Sequence, residues 1–399
     1  MTRQIGVLDP APDAGAAGTM TDRERVLAVM ERRPVDRIPW IPRLLIWHTA
    51  RRTTGTMPPE LAGMTLREVE RALGVGTPAR DGRVFRVEYD GGVEVRVERA
   101  GNESVLEYRT PVGTVRQRRV LPGTLAAVGI GESEVDYFLK VPEDYDALDY
   151  LAEHTRYVPT YDAYLAYERE VGDDGYPMVS AGDCPFHHFL RQLAGYERGY
   201  LELADRPERV ERLVRVMTDV DRERLWPVLE QSPARLLLHG VHLSSQMTPP
   251  PYFRRFIAPY YRELSARLHA ADRWLVMHAD NDTRLILPDL KAAGFDLLEC
   301  FATAPLTRTT LAEARAVLGT DVAIWGGVPS VLLEPDSTPE DEFERYMQEL
   351  FDVIAPGDAF ILGVSDNVMP EADITRIARI TRLVAERGRY PVAPRASTP

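Results

Sequence analysis

At 399 residues and 44% hydrophobic content, the chain is long enough to bury a full core as one large barrel or two modest domains. Its formal net charge of -13 excludes nonspecific attraction to nucleic acid or anionic lipid, and points to small molecules or proteins as partners. Cys184 and Cys300 form no C-x-x-C pair, so neither a disulfide scaffold nor a thiolate zinc finger is expected, and a reducing cytoplasm fits best. Positive charge is almost all arginine, with Lys140 and Lys291 the only lysines, which leaves no easy Schiff-base role. No apolar run approaches the roughly 18 to 20 residues that span a bilayer.

Residues 1–19, rich in Ala, Gly, Pro and Asp, read as a disordered leader, 20–392 as one domain and 393–399 as a tail. The segment TDRERVLAVMERRP offers an N-cap, acids in the first turn and an apolar stripe that ends at a proline, which predicts a short amphipathic helix. Ile38 to Ile41 then read as extended. Over 82–120, β-branched or aromatic residues alternate with polar ones between Asp-Gly-Gly, Gly-Asn and Pro-Val-Gly turns, predicting an antiparallel insert of two hairpins. From about residue 176, apolar strands at 177–181, 234–238, 274–277, 295–298, 322–325 and 359–362 alternate with helical patterns. Such alternation means a parallel sheet. Six late strands plus one or two early ones approach a (β/α)8 TIM-type barrel, with an open doubly wound sheet as the alternative. No Gly-rich strand-to-helix turn of the nucleotide-binding kind is present.

In a parallel barrel the loops after the strands build the active site. Here those positions hold Asp183, His187 and His188; His239 and His242; His278, Asp280 and Asp282; Glu299 and Cys300; and Ser365, Asp366 and Asn367. Neutral imidazoles and carboxylates converging on one mouth suit a divalent metal, and His278-x-Asp280 places two donors on one strand face. The alternative is that they bond one another, or bind substrate without metal. Adjacent strand residues point to opposite faces, so Glu299 rather than Cys300 is expected to line the mouth. Cys184 reads as a small packed residue. Arg43, Trp47 and His48, after the early strand, are placed to hold an anionic or aromatic ligand; Tyr252, Phe253, Tyr260 and Tyr261 have helical spacing and read as core or interface.

Several stretches, in order, resemble the uroporphyrinogen decarboxylase superfamily. The opening TDRERVLAVMERRPVDRIPW is similar to its leading helix and Asp-Arg-x-Pro turn, and YRTPVGTVR to a Thr-Pro-x-Gly hairpin of its corrinoid-linked methyltransferase branch. PPPYFRRFIAPYYREL, HADNDTRLILPDLKAAGFDLLE, WGGVPSVLLEPDSTPEDE and FILGVSDNVMPEADITRI resemble later units. The Met-Arg-Gln-Ala-Gly-Arg segment of true uroporphyrinogen decarboxylases is absent; IPRLLIWHTARR stands there, and Asp366 replaces the late histidine of a Gly-His-Gly segment, so haem biosynthesis is not expected.

The methyltransferase branch holds zinc through His-x-Cys and a distant cysteine. The matching positions here are His278, Asp280 and Asp366, so the resemblance implies a harder site with one imidazole and two carboxylates. It implies a divalent metal, zinc first, and methyl transfer from a small oxygen-bearing substrate to a corrinoid. The chain has no Asp-x-His-x-x-Gly element, so the corrinoid would come free or on a partner protein. On this reading His239, His242 and Glu299 are the catalytic candidates, and Arg43, His48, His187 and Asn367 hold substrate. A homodimer is the family default. Two other readings stay open: a cofactor-free decarboxylase or lyase of a small acid, and a barrel that binds a corrinoid or metabolite without catalysis.

Overall fold

The computed structural model describes residues 19–395, so all but the last residue of the expected leader, and 396–399 of the tail, lie outside the described residues. The first helix, Asp22–Met30, forms where its cap predicts. The Thr21 hydroxyl accepts from the Glu24 N–H at 3.1 Å, and the Glu24 carboxylate accepts from the Thr21 N–H at 2.7 Å. Its buried face, Val26, Val29 and Met30, packs with Tyr176, Leu236 and Ala359 near the starts of the later strands.

The region around 82–120 is antiparallel, with a pairing that differs from two simple hairpins. Strand β1 (Phe85–Tyr89) skips its sequence neighbour, and β2 (Glu94–Ala100), β3 (Glu103–Thr110), β4 (Gly113–Val120) and β5 (Ser133–Asp136) form a meander. The partner of β1 is β6 (Thr155–Pro159), beyond the helix Asp144–Glu153. The insert therefore reaches past 120, because two strands with weaker alternation complete it.

The later strands are β7 (Met178–Gly182), β8 (Leu236–Val241), β9 (Trp274–His278), β10 (Leu297–Phe301), β11 (Ala323–Pro329) and β12 (Phe360–Ser365). They pair in sequence order, all parallel, with helices between them. Each runs further toward its C-terminal end than its apolar run, so several residues expected in loops stand in the strands. Alternation divides the side chains: Leu236, Leu238, Val276, Leu297, Trp325 and Ile361 share one buried cluster with the first helix. Leu237, Met277, Leu298, Ile324 and Leu362 join the other, among the surrounding helices.

The mixed α/β fold is consistent with a TIM-type barrel, yet among the described residues its parallel sheet has six regular strands rather than eight. The two sheet edges are joined through irregular segments. On one side Ile41 N–H donates to Leu362 O and Leu362 N–H to Pro39 O, both at 2.9 Å. Gly76 N–H then donates to Trp40 O, and Met178 N–H to Ala79 O, both at 3.0 Å. Pro39, Pro42 and Pro78 lack a backbone donor, which keeps these segments from forming full ladders.

Gly175, just before β7, lets this closure happen. A Cβ there would stand 2.3 Å from the Thr77 carbonyl oxygen, and Thr77 N–H donates to Asp174 O at 2.8 Å. Gly175→Ala is expected to cost about 1–3 kcal/mol by overpacking, read as a lowered unfolding midpoint in denaturant; an unchanged midpoint would show that the 76–79 segment yields freely.

Candidate active site

His278 ends β9 with its ring on the inner side of the sheet and 3% of the residue exposed. Its Nδ1 lies 2.7 Å from Glu299 Oε2. An ionised carboxylate only accepts, so Nδ1 carries a proton and Nε2 is the nitrogen left to face the mouth. Nε2 faces two more carboxylates: Asp280 Oδ2 at 3.7 Å and Asp366 Oδ1 at 3.5 Å. His242, held at φ +57° where β8 ends, aims Nδ1 at Asp280 Oδ2 at 2.6 Å. The two rings meet edge to face with centroids 5.3 Å apart.

Glu299 is completely buried. Burial alone would raise its pKa, but the Arg80 guanidinium, the His278 ring and Arg43 more than offset it and hold the carboxyl well below the usual range. Arg80 Nη1 donates to Oε1 at 3.1 Å. Asp280 is likewise lowered despite burial, by the His242 hydrogen bond and the His278 ring. Arg43 Nη1 donates to Asp366 Oδ1, and the Val368 N–H returns to the Arg43 carbonyl at 2.9 Å, so the β12 loop and the 38–43 segment arrive together. Asn367 Nδ2 donates to Asp366 Oδ2 at 2.6 Å, while its Oδ1 is buried without a hydrogen-bond partner.

Two members of this cluster escaped the sequence reading. Arg80 lies on an irregular segment that carries no strand pattern. Cys300 was assigned to the far face by alternation, but the ladder shifts between Glu299 and Phe301, and Cys300 takes φ +54°. Its Sγ donates to Glu299 Oε1 at 2.9 Å and sits 3.7 Å from Arg43 Nη1. Burial and the Glu299 and Asp366 carboxylates push the thiol well above its ordinary pKa, so it stays protonated.

The donors fit a divalent cation. His242, His278 and Asp280 each offer a ligand atom, as do His278, Glu299 and Cys300, the atoms within each group lying within 4.8 Å of one another. His278 and Asp280 of the first group are the better donors, with Asp366 Oδ1 3.5 Å from His278 Nε2, because His242 Nδ1 and Glu299 are already spent on hydrogen bonds and Cys300 is a thiol. Asp280 Oδ1 is buried with no hydrogen-bond partner, an orphaned oxygen that a cation would satisfy. A histidine whose far nitrogen is fixed by a carboxylate is the arrangement that orients an imidazole toward a metal.

Three other expected site residues stand elsewhere. His239 has the parity of Leu237, so its ring turns outward to the helix Ala258–Ala270. Its Nδ1 and Nε2 lie 3.3 Å from the Tyr261 and Tyr260 hydroxyls, which corrects its expected place at the mouth. His187 has both nitrogens engaged, by Asp183 Oδ1 at 3.1 Å and the Tyr196 hydroxyl at 3.0 Å, and is fully buried. His48 Nε2 is tied to the Met64 carbonyl at 3.0 Å. Neither is free to hold substrate: both brace local structure.

Behind His239 the Tyr260 hydroxyl donates to Asp221 Oδ2 at 2.9 Å, and Tyr157 donates to Oδ1 at 3.1 Å. Burial pushes the Asp221 carboxyl up to about 7 against those two hydrogen bonds. The folded chain therefore binds this proton more tightly than the unfolded one, where Asp titrates near ~3.9. The resulting stability is present in full below the unfolded pKa and is lost as pH rises through the folded one. Urea denaturation of wild type and Asp221→Asn should show the variant gaining relative stability as pH rises from about 4 to 7; parallel profiles would mean that Asp221 is ionised throughout.

The family model for uroporphyrinogen decarboxylase (URO-D) matches residues 126–387, from just before β5 through the last helix. A methylated-thiol--coenzyme M methyltransferase of Methanosarcina mazei is 28% identical over 110 residues, an alignment that spans 28% of this chain and 28% of that protein. A solved methyltransferase from Methanosarcina mazei superposes with a TM-score of 0.53 at 15% identity, covering 92% of this chain and 99% of the other. At that identity the likeness speaks to the fold. The chain belongs to the uroporphyrinogen decarboxylase (URO-D) family.

Proposed function

We propose that this chain is a methyltransferase that moves a methyl group from a small oxygen-bearing substrate to a corrinoid supplied by a partner protein, with a divalent metal, zinc first, held by His278, Asp280 and Asp366. The observation that carries this reading is the His278 ring. Its Nδ1–H is fixed by Glu299 and its Nε2 looks at two carboxylates. The similarity to a methylated-thiol--coenzyme M methyltransferase supports methyl transfer as the reaction class. An oxygen-rich ligand set, with no thiolate in it, favours an oxygen-bearing substrate over a thiol. A cation there supplies Lewis-acid withdrawal of charge from the substrate oxygen.

The chain's own residues divide the remaining work. Glu299, completely buried, acts as a positioning residue for His278 rather than touching substrate. His242 is 43% exposed at its side chain with Nδ1 fixed by Asp280; when that ring is doubly protonated, its Nε2–H can be given to the oxygen that the methyl group leaves. Arg43 offers its charge to an anionic substrate group, and Asn367 Oδ1 offers an unused acceptor.

A second reading, a metal-free decarboxylase or lyase, is favoured by one feature: Arg43 and Arg80 line the same cavity of about 310 Å³, a cradle for a substrate carboxylate. Metal analysis separates the two. Protein purified without chelator or histidine tag should carry near-stoichiometric metal, lost in His278→Ala and Asp280→Ala, while Glu299→Gln weakens metal affinity by about 10–100-fold. Wild type that stays metal-free after reconstitution with zinc, iron, manganese or cobalt overturns the methyltransferase reading and leaves the decarboxylase.

A further inference from the structure

A second cavity, of about 350 Å³, opens between the insert and the end of β7. That volume lies in the range of small-molecule sites, about 300–1,000 Å³. None of its lining residues belongs to the His242, His278, Asp280 and Asp366 cluster. Most of its wall is aromatic and aliphatic, with Phe85 and Tyr89 from β1, Tyr108 from β3, and Phe138 and Met217, while Arg119, His188 and Gln192 add polar groups. The Tyr89 and Tyr108 rings meet edge to face at 5.4 Å, and Phe85 meets Tyr157 in the same way at 5.3 Å. Such walls suit a flat ring. The β1 and β3 walls lie before residue 126, outside the segment matched by the family model.

The polar end of this cavity lacks one thing. Asp183, with 6% of its side chain exposed, accepts from His187 through Oδ1, but its Oδ2 is buried without a hydrogen-bond partner. Arg191 Nε lies 3.6 Å away, near enough to balance the charge and too far to donate. What Asp183 Oδ2 needs is therefore a hydrogen-bond donor, not a cation. Asp221 also lines this end, and its two oxygens, each taking one tyrosine hydroxyl, have lone pairs to spare. Asp183 is balanced by Arg191, Arg119 of the same lining pairs with Glu134 at 3.7 Å, and burial favours the neutral Asp221 carboxyl, so this end suits a neutral ligand.

We propose that this cavity binds a neutral one- or two-ring compound bearing a hydroxyl, its ring held by Phe85, Tyr89 and Tyr108 and its O–H donated to Asp183 Oδ2. The site is independent of the metal centre. Isothermal titration of the purified protein with 2-naphthol, 2-methoxynaphthalene and 2-naphthylmethylammonium tests it. A hydrogen bond to a charged group is worth about 1.5–3 kcal/mol, so 2-naphthol should bind at least about tenfold more tightly than its methyl ether, and more tightly than the ammonium.

Val87 is 44% exposed on the cavity's lip and Val97 is 56% exposed outside it, so both tolerate a larger side chain without loss of fold. Val87→Trp should weaken 2-naphthol binding about tenfold or more while Val97→Trp leaves it unchanged. Metal content, measured in parallel, should be the same in all three proteins, which keeps this result separate from the methyltransferase reading. No binding of 2-naphthol, equal binding of the methyl ether, tighter binding of the ammonium, or indifference to Val87→Trp overturns the proposal.

Discussion

Glu299 is a carboxylate with no exposed surface, and an unpaired charge in such a place costs several kcal/mol. Arg80, the His278 ring and the Cys300 thiol each meet one of its oxygens, and that compensation organises the mouth. Because Glu299 accepts from Nδ1, His278 turns Nε2 toward Asp280 and Asp366. Because Arg80 must reach Glu299, the irregular 76–84 segment is drawn in over the β10 end. The geometry of the cluster follows from where one negative charge is buried and what is brought to neutralise it. Asp280 and Asp366 are then held by different partners, His242 and Arg43, so each of the three carboxylates around the ring has a partner of its own.

Much of this arrangement was legible in the sequence, for a physical reason: parallel strands with helical crossovers produce short apolar runs whose following residues collect at one end. His278 and Asp280 were found by that rule, and the six late strands are where the apolar runs lie. The same rule misplaced His239, since position after an apolar run does not say which face a side chain takes. Parity does. Leu236 and Leu238 belong to the inner cluster, which sends 239 outward, whereas Val276 is inner and carries His278 inward with it. Alternation in turn failed at Cys300, where a shift in the ladder turns an outward residue to the inner side.

The early part of the chain was less legible. Segments 38–41 and 76–79 join the sheet edges through a few backbone hydrogen bonds, and their prolines remove the pattern that would announce a strand. Arg43 and Arg80 sit beside those segments, so the cluster's two guanidinium groups come from the part of the fold with the weakest periodicity. The pairing of β1 with β6 is hidden for another reason. The strands are separated by the whole meander and a helix, and local alternation carries no information about so distant a partner.

The two polar centres lie on opposite sides of the strand wall. His278 and His239 stand on adjacent strands, yet one faces the carboxylate cluster and the other faces Tyr260, Tyr261 and, through Tyr260, Asp221. Gly182, at φ +115°, thins the wall here: a Cβ on it would lie 3.5 Å from His239 Nε2. The Tyr260 hydroxyl donates to Asp221 and accepts from Trp226 Nε1 at 3.0 Å, and each ring nitrogen of His239 meets a tyrosine hydroxyl within that network. A neutral histidine with both nitrogens committed cannot carry a proton from one centre to the other, and burial lowers its pKa to about 4. The network on the cavity side thus sets the shape of the wall and keeps His239 apart from the carboxylate cluster, where the His242 side chain is 43% exposed.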